Sequence, residues 1–562
     1  MTNKAIAQQL KLAGNLVELS GGNPFKARAF GSAARAVEKL EGPAADLAKA
    51  GTLDETYGIG KSITRDIAEL VETGELASVT EMLAAIPPGL LDVLKVKGLG
   101  PKKVRALWQE IDITSLDDLQ AAAVTGRLAE LPGFGSKTAE NVLSSIAKLQ
   151  EYAGKVHYGQ IHDDITGLVE ALQGADGLTN VEATGDFRRQ LDVVDVVELV
   201  IEGDQEAVLN VLASNGCSME DAEGDSPLHG QTSFGLPLAV HIATPDSFGT
   251  ILWTTTGSEE HVEAFTERFG EPEDTDDEEL IYDNAGLREI PPSLREGLGE
   301  IDAAEEDILP DVLTLADLKG TLHNHTTYSD GAHTLREMAG AARAMGLEYF
   351  GVCDHSRSLQ IAHGLPIEKL MEQLDAIAEL NKEYANDGGL PFRIFSGTEC
   401  DVLPDGSMDY PDEVLEKLDV VVASIHTNFG LSEAKQTQRM LNAAANPHVD
   451  ILGHLTGRLL LKRDGYPINH EAVIEACAET NTCIELNANP WRLDLDWRWI
   501  RRATDAGIPI AINPDAHSME QLKLVRWGVA VAQKGWLTAE QCLNCMPADE
   551  LAAWLHGRNA AV

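Results

Sequence analysis

From residue 320 onward, short apolar runs alternate with amphipathic stretches, and this alternation restricts the possible folds more than any other feature of the chain. Tyr349–Cys353, Arg393–Gly397, Val420–Ser424, Ile451–Gly453, Cys483–Asn487 and Ile508–Ile512 read as strands. Leu335–Met345, Ile367–Glu383 and Asn469–Thr480 read as helices. Such alternation predicts a parallel β/α barrel, whose chemistry gathers at the C-terminal ends of the strands. The polar residues fall there. An apolar approach (Leu313, Leu315, Leu318) leads into His323-Asn324-His325. Residues i and i+2 of a strand share a face, so both imidazoles can reach one metal ion. Asp330, on the next loop, can bend back to join them. Asp354-His355 ends the second strand and Glu399 the third, His426 and His454 follow the next two, and Asp515-Ala516-His517 follows the last.

His323, His325, Asp330, His355, Glu399, His426, His454, Asp515 and His517 thus make nine N/O donors on one predicted rim. Imidazole and carboxylate without thiolate suit Zn²⁺, Mn²⁺ or Fe²⁺ rather than a structural zinc finger. Nine donors exceed what one ion takes, so two or three ions are expected, with Glu399 the natural bridge. The nine positions resemble the metal rim of the PHP phosphoesterases, which implies that a water activated by such ions would attack phosphorus. Arg458 is the candidate phosphate clamp. Asp354 can equally orient its neighbours, and His333 and His363 are read as non-ligands.

The N-terminal third has a different pattern. Residues 1–40 predict two helices, the first with Leu10, Leu12, Leu16, Val17 and Leu19 on its apolar face, the second with Lys26, Arg28 and Arg35 exposed. A motif then recurs: Gly58-Ile59-Gly60-Lys61, Gly98-Leu99-Gly100 with Lys102 and Lys103, and Gly133-Phe134-Gly135 with Lys137. Each is Gly–apolar–Gly, then Lys, then a helical stretch, which is the helix-hairpin-helix pattern. The glycines allow a tight turn and close backbone approach, and the free N–H groups opening the second helix can take a DNA phosphate. Lys95, Lys97, Lys102, Lys103 and Arg105 form the densest basic patch. Nothing here suggests base-edge reading, so DNA binding without sequence specificity is expected.

Charge frames the whole chain. Its 562 residues carry a net charge of −46 with an ordinary 44% apolar fraction, which excludes a disordered polyanion. Acids are spread along the chain, as in a halophile protein folded where molar salt shrinks the Debye length to about 3 Å. Seven Cys without framework spacing predict a reduced interior, with Cys542 and Cys545 packing in a helix. No apolar run suits a bilayer or a signal core, so a cytoplasmic protein with no membrane partner is expected. The acidic run 270–279 is read as a solvated loop.

The segment Asn23–Phe30, the hairpins, Gly185-Asp186-Phe187-Arg188-Arg189, Thr256–His261 and Ile290–Glu296 resemble the family X DNA polymerases. The whole chain resembles their bacterial and archaeal form with a C-terminal PHP (polymerase and histidinol phosphatase) domain, of haloarchaeal type. The resemblance implies a multidomain protein with α-helical helix-hairpin-helix parts, an α+β nucleotidyltransferase-like palm and a distorted (β/α)7 PHP barrel. The expected divisions are 1–85 (N-terminal helical, first hairpin), 86–150 (fingers-like, two hairpins), 151–235 (palm-like), 236–300 (thumb-like), 301–318 (linker) and 319–562 (PHP). It also implies a trinuclear site on the nine rim residues, and Glu485, Asn487, Arg492 and Asp494 match a further PHP motif in which Asp494 would fix Arg492 for catalysis.

The palm-like segment departs from the family. Asp186 stands where the family has Ser. The family's paired metal-binding aspartates fall at Val196 and Glu198, and a third acid at Ala239. Read as one strand, Asp192 and Glu198 share a face roughly 20 Å apart and Asp195 lies on the other, too far apart to hold two ions. Gly185, Arg188, Arg189 and Glu198 are therefore read as a vestigial nucleotide site. The family's lyase lysine is also missing, with Arg65 and Asp66 in its place. The expected function is metal-dependent hydrolysis at DNA 3′ ends, a 3′–5′ exonuclease or 3′-end-processing repair activity on gapped DNA. The alternatives are an active gap-filling polymerase with a PHP exonuclease, a small phosphate monoesterase, and a non-enzymatic DNA-binding scaffold.

Overall fold

The computed structural model describes residues 1–38, 40, 42–220 and 227–560. The chain forms two compact units, Met1–Ala153 and Gly154–Val562. No helix among the described residues is long and apolar enough to cross a membrane.

The first unit is helical. Asn3–Leu19 packs along Pro24–Glu38, burying Leu10, Leu16 and Leu19 against Phe30 and Ala33. Leu12 is only half-buried. Burial of each large aliphatic or aromatic side chain contributes roughly 1.5–3 kcal/mol, enough to offset the modest propensity of these Gly- and Ser-containing helices. All three predicted hairpins form. Gly58, Gly98 and Gly133 have φ of 93°, 86° and 87°, a region other residues adopt only under strain. The second glycines, Gly60, Gly100 and Gly135, cap the helices Lys61–Thr73, Pro101–Ile111 and Ser136–Tyr152. The apolar centres Ile59, Leu99 and Phe134 are buried and tie each turn to the core.

The second unit begins with a short antiparallel pair, β1 (Val156–His157) and β3 (Val193–Val194). A five-stranded sheet follows, containing β2 (Leu178–Thr184), β4 (Val197–Gly203), β5 (Ser218–Met219), β6 (Leu228–Gln231) and β7 (Pro237–Ala243), in the order β2-β4-β7-β6-β5. β4 runs parallel to β7, with Glu198 opposite Ala239. The sheet therefore extends past residue 235, where the sequence reading placed a palm–thumb boundary. The segment 192–198 is not one strand. It bends at Asp195, so β3 and β4 belong to different sheets.

The barrel contains β8 (Gly320–Thr321), β9 (Tyr349–Val352), β10 (Arg393–Asp401), β11 (Val420–Ser424), β12 (Ile451–Leu452), β13 (Cys483–Asn487) and β14 (Ile510–Asn513), all parallel and in sequential order. A parallel bridge from Asn324 to Ala516 joins the two outer strands and nearly closes it. β9, β11, β13 and β14 are buried throughout, as parallel strands covered by helices must be. Predicted and observed strands agree to within a few residues, except that β10 runs on to Asp401. Glu399 thus lies inside the strand rather than past its end. Cys542 and Cys545 bracket a single 3-10 turn, not an α-helix, and all seven cysteines are free thiols.

The palm-like part is fastened to the barrel. Tyr158 meets Trp527 edge-on at 5.6 Å. Lys534, fully buried, donates to the Arg189 carbonyl at 3.0 Å and to Glu296.

Candidate metal centre and nucleic-acid-binding hairpins

All nine predicted rim residues converge at the C-terminal end of the barrel. Three groups place ligand atoms within 4.8 Å of one another: His325, Asp330, His355 and His517; His323, His325 and Asp515; and His355, Glu399 and His426. His454 joins the third, with Nε2 3.0 Å from Glu399 Oε1. His325 and His355 are each shared by two groups, so the groups adjoin. The Glu399 oxygens also lie 3.5 Å from His323 Nε2 and 3.8 Å from His325 Nε2, which puts this carboxylate in the middle.

The side chains are held from behind. Glu485 Oε1 accepts at 2.7 Å from His323 Nδ1, and Glu485 Oε2 accepts the His454 backbone N–H at 2.7 Å. Asp401 Oδ1 lies 3.0 Å from His426 Nδ1, and the Asp515 carbonyl 2.9 Å from His517 Nδ1. Each contact fixes a tautomer that presents Nε2 to the centre. Asp354 accepts from the Thr326 N–H and hydroxyl, the Ser329 N–H and hydroxyl and the Gln373 amide. It organises the loop that carries His325 and Asp330, and it is not in any of the three groups. The sequence reading missed Asp401. Its signal was the i, i+2 relation to Glu399 on one strand face.

Several inward atoms crowd one another yet are buried without a hydrogen bond: His323 Nε2, His325 Nδ1, His355 Nδ1, His454 Nε2 and both Glu399 oxygens, with His355 Nδ1 2.7 Å and His454 Nε2 3.0 Å from Glu399. Each such atom costs on the order of 1–3 kcal/mol, and their clustering fits divalent cations, for which imidazole and carboxylate are suitable donors. Burial opposes charge on His323, His325, Asp330, Glu399, His426, Asp515 and His517. It and the neighbouring His517 and His355 rings push His325 down to about 3. Against burial, Glu399 and Asp401 raise His426 to about 10, and Asp330 and Asp515 raise His517 to about 9. The surrounding rings hold Glu399 and Asp515 ionised, well below the usual carboxylate range, despite burial.

Of the two predicted arginines, one reaches the centre. Arg492 Nε lies 3.8 Å from Asp515 Oδ2. Arg458 does not. Its guanidinium donates to the Arg492 and Leu493 carbonyls, to Asp496 at 2.5 Å and to Asp192 at 3.0 Å. It clamps the barrel loops to the palm-like part, and its donors are spent there, so the expected phosphate contact is overturned. Nor does Asp494 fix Arg492. It accepts the Thr456 N–H and hydroxyl, both at 2.9 Å.

Of the residues read from the sequence as a vestigial nucleotide site, Gly185 and Glu198 meet directly, since a Cβ on Gly185 would strike the Glu198 carboxylate. Arg188 makes a two-point pair with Glu278 at 2.5 and 2.9 Å, and Arg189 pairs with Asp186 at 2.5 Å and Glu296 at 2.9 Å. Glu278, next to last in the acidic run, is buried, so that run is not wholly solvated. The bend at Asp195 changes one expectation. Burial raises the Asp186 pKa, and Asp195 and Glu198 both lie near enough to raise it further. Asp195 is therefore not turned away. Even so, among the described residues no group of three metal-ligand types within 4.8 Å forms there.

In the first unit Lys61, Lys102, Lys103 and Lys137 are exposed beside their hairpins. None of the three following helices has a side-chain N-cap, so their opening N–H groups are uncapped, from Lys102 onward in the second, whose Pro101 has none. Asp66 is half-buried, and burial raises its pKa.

The sequence matches family models for a helix-hairpin-helix domain (residues 1–76), a SAM-like helix-hairpin-helix tandem (90–148) and a PHP domain (321–489). It is 33% identical to the DNA polymerase/3'-5' exonuclease PolX of Bacillus subtilis, over 99% of both chains. The chain belongs to the PolX family of family X DNA polymerases. The PolX layout, hairpins first and PHP barrel last, is the one the structure displays. The chain is also 27% identical to a Thermoanaerobacter protein named "Probable phosphatase", over 40% of this chain and 88% of that protein. A like-named protein of Caldanaerobacter subterraneus is 30% identical over 35% of this chain and 74% of its own length.

Proposed function

We propose that this PolX-family chain hydrolyses phosphodiesters at DNA 3′ ends in its PHP barrel, and that its palm-like module does not polymerise. The observation that carries the reading is the rim: eight N/O donors gathered around Glu399, with buried inward atoms that make no hydrogen bond within the protein. Bound there, two or three Zn²⁺, Mn²⁺ or Fe²⁺ ions would supply Lewis acidity and a hydrolytic water at neutral pH. The chain's own residues do the rest. Glu485, Asp401 and the Asp515 carbonyl aim the imidazoles, and Glu399 offers both oxygens between groups. Arg492 stands beside Asp515 as the phosphate-contacting cation. The hairpins bring DNA to the protein through backbone N–H groups and lysines, favouring gapped DNA and 3′ ends in a base-excision-type repair role. A cytoplasmic setting at molar salt agrees with the net charge and with hairpins that depend little on counterion release.

The polymerase reading draws on the approach of Asp186, Asp195 and Glu198. Against it stand Ala239 opposite Glu198 and Arg189, whose charge is already balanced by Asp186 and Glu296. The test uses end-labelled gapped DNA with Mn²⁺ in about molar KCl. Wild-type protein should shorten the 3′ end and His323→Ala should not. Equal shortening by both would overturn the assignment, and cleavage of a small phosphate ester alone would favour the monoesterase.

A further inference from the structure

The barrel mouth carries an aromatic surface that metal binding does not explain. Trp491 follows β13 in the turn Asn489-Pro490-Trp491-Arg492 and stays 40% exposed. This turn is anchored to the metal rim on both sides of the tryptophan. Before it, Asn487 Nδ2 donates to Asp515 Oδ2 at 3.1 Å; after it, Arg492 Nε lies 3.8 Å from the same oxygen. Consecutive Cα atoms are about 3.8 Å apart, so Trp491 is one step from the arginine that faces the centre.

The indole is also fixed in place. One side rests on the ring of His157, 4.3 Å between centroids and tilted 55°. His157 comes from the palm-like part and is itself held, Nε2 at 3.0 Å from the Leu460 carbonyl and Nδ1 at 2.9 Å from Gln160. The Leu460 N–H donates to the Trp491 carbonyl at 2.8 Å. A large aromatic ring that is both immobilised and exposed is a preorganised stacking surface. Next to it in sequence is Arg492, whose guanidinium faces Asp515. A cation one residue from an exposed indole matches a phosphate joined to a flat ring. In a chain of net charge −46, attraction of DNA to this mouth cannot rest on long-range charge. Stacking does not depend on salt in that way and is worth about 1–3 kcal/mol per base.

We infer that Trp491, braced by His157, stacks on the base of the 3′-terminal nucleotide while Arg492 meets its phosphate, so that the palm-like module walls the hydrolytic site and selects nucleic acid over small phosphate esters. The inference rests on the 3′-hydrolase reading and adds a specificity residue to it.

The experiment compares two single-stranded hexanucleotides, identical except that one ends in a 3′ nucleotide and the other in an abasic sugar phosphate. Wild-type protein should cleave the base-bearing end with a kcat/KM about 5–150-fold higher, the range that 1–3 kcal/mol of stacking gives. Trp491→Ala should remove that preference, and Trp491→Phe should keep most of it. In a His323→Ala background, fluorescence anisotropy should show the same ordering of affinities for the two hexamers, independent of turnover. Thermal unfolding of Trp491→Ala and Trp491→Phe separates a loosened palm contact from lost stacking, because the phenylalanine variant retains an aromatic ring. A wild-type protein that digests both ends equally overturns the stacking inference and leaves the hydrolase reading standing. A wild-type protein that digests neither overturns both. Loss of activity on both ends in equal proportion in Trp491→Ala, with no loss of preference, also overturns the inference.

Discussion

Arg458 offers the sharpest separation between a chemical and a structural role. Its side chain is 13% exposed, and its carboxylate partners Asp192 and Asp496 are 11% and 23% exposed. Burial raises the pKa of Asp192 and Arg458 pulls it back, so removing the cation strands two carboxylates in a poorly solvated interface. Breaking a buried pair of this kind costs roughly 3–5 kcal/mol. Arg458→Met keeps the packing stem and removes the charge. Taking about 2 °C per kcal/mol for a unit of this size, thermal unfolding at one scan rate should fall by about 5–10 °C. Hydrolysis per folded molecule, measured well below the transition, should fall by less than about 10-fold, since no reacting group is lost. Asp192→Asn, which removes the palm-side charge alone, should produce a smaller drop of the same kind. An Arg458→Met protein with unchanged unfolding temperature and a kcat reduced by about a thousandfold would refute the clamp and restore the phosphate contact.

Three further outcomes follow from other parts of the chain. Glu399→Gln removes the charge at the centre of the three ligand groups, and should reduce bound metal, read by elemental analysis after dialysis, by at least one ion per chain and hydrolysis by about a thousandfold; full metal content would contradict its central placement. Burial opposes ionisation of Glu278, but Arg188 and Arg295 win and hold its carboxyl down at about 2. Because the folded value lies below the unfolded one near 4.5, its stabilisation, on the order of 3 kcal/mol, is complete above that pH and is lost as pH falls toward 2. Glu278→Gln should therefore be less stable at pH 7 and show a flatter acid limb in denaturant titrations, and an unchanged limb would contradict the pairing. Lys102, exposed beside the second hairpin, should contribute one phosphate contact, so Lys102→Ala should lower the slope of log affinity against log salt for duplex DNA by about 0.9, with no slope change arguing against that contact.

How much of this was readable beforehand depends on the range of the interactions. The hairpins are local: two glycines, an apolar centre and a lysine within a few residues specify turn, cap and exposed charge together. The barrel was readable from alternation, and the metal rim from donors recurring at strand ends, because strand order follows sequence order. What escaped was set by distant contacts. Arg458 meets Asp192 across 266 positions, and no spacing rule connects them. Asp494 holds Thr456, 38 positions away, and Arg492 faces Asp515 instead. The bend at Asp195 was hidden because Val193–Glu198 has the β-branched composition of a continuous strand. Asp401, by contrast, was within reach of the rule that found His323 and His325.

The central claim is that chemistry resides in the barrel and not in the palm-like module. It is tested most directly by one reaction: end-labelled gapped DNA, Mn²⁺ and dNTPs, in about molar KCl, with wild-type protein, Glu399→Gln and Glu198→Ala in parallel. The account predicts shortened 3′ ends with wild type and Glu198→Ala, none with Glu399→Gln, and no extended product in any lane. Primer extension by wild type that Glu198→Ala abolishes would contradict it.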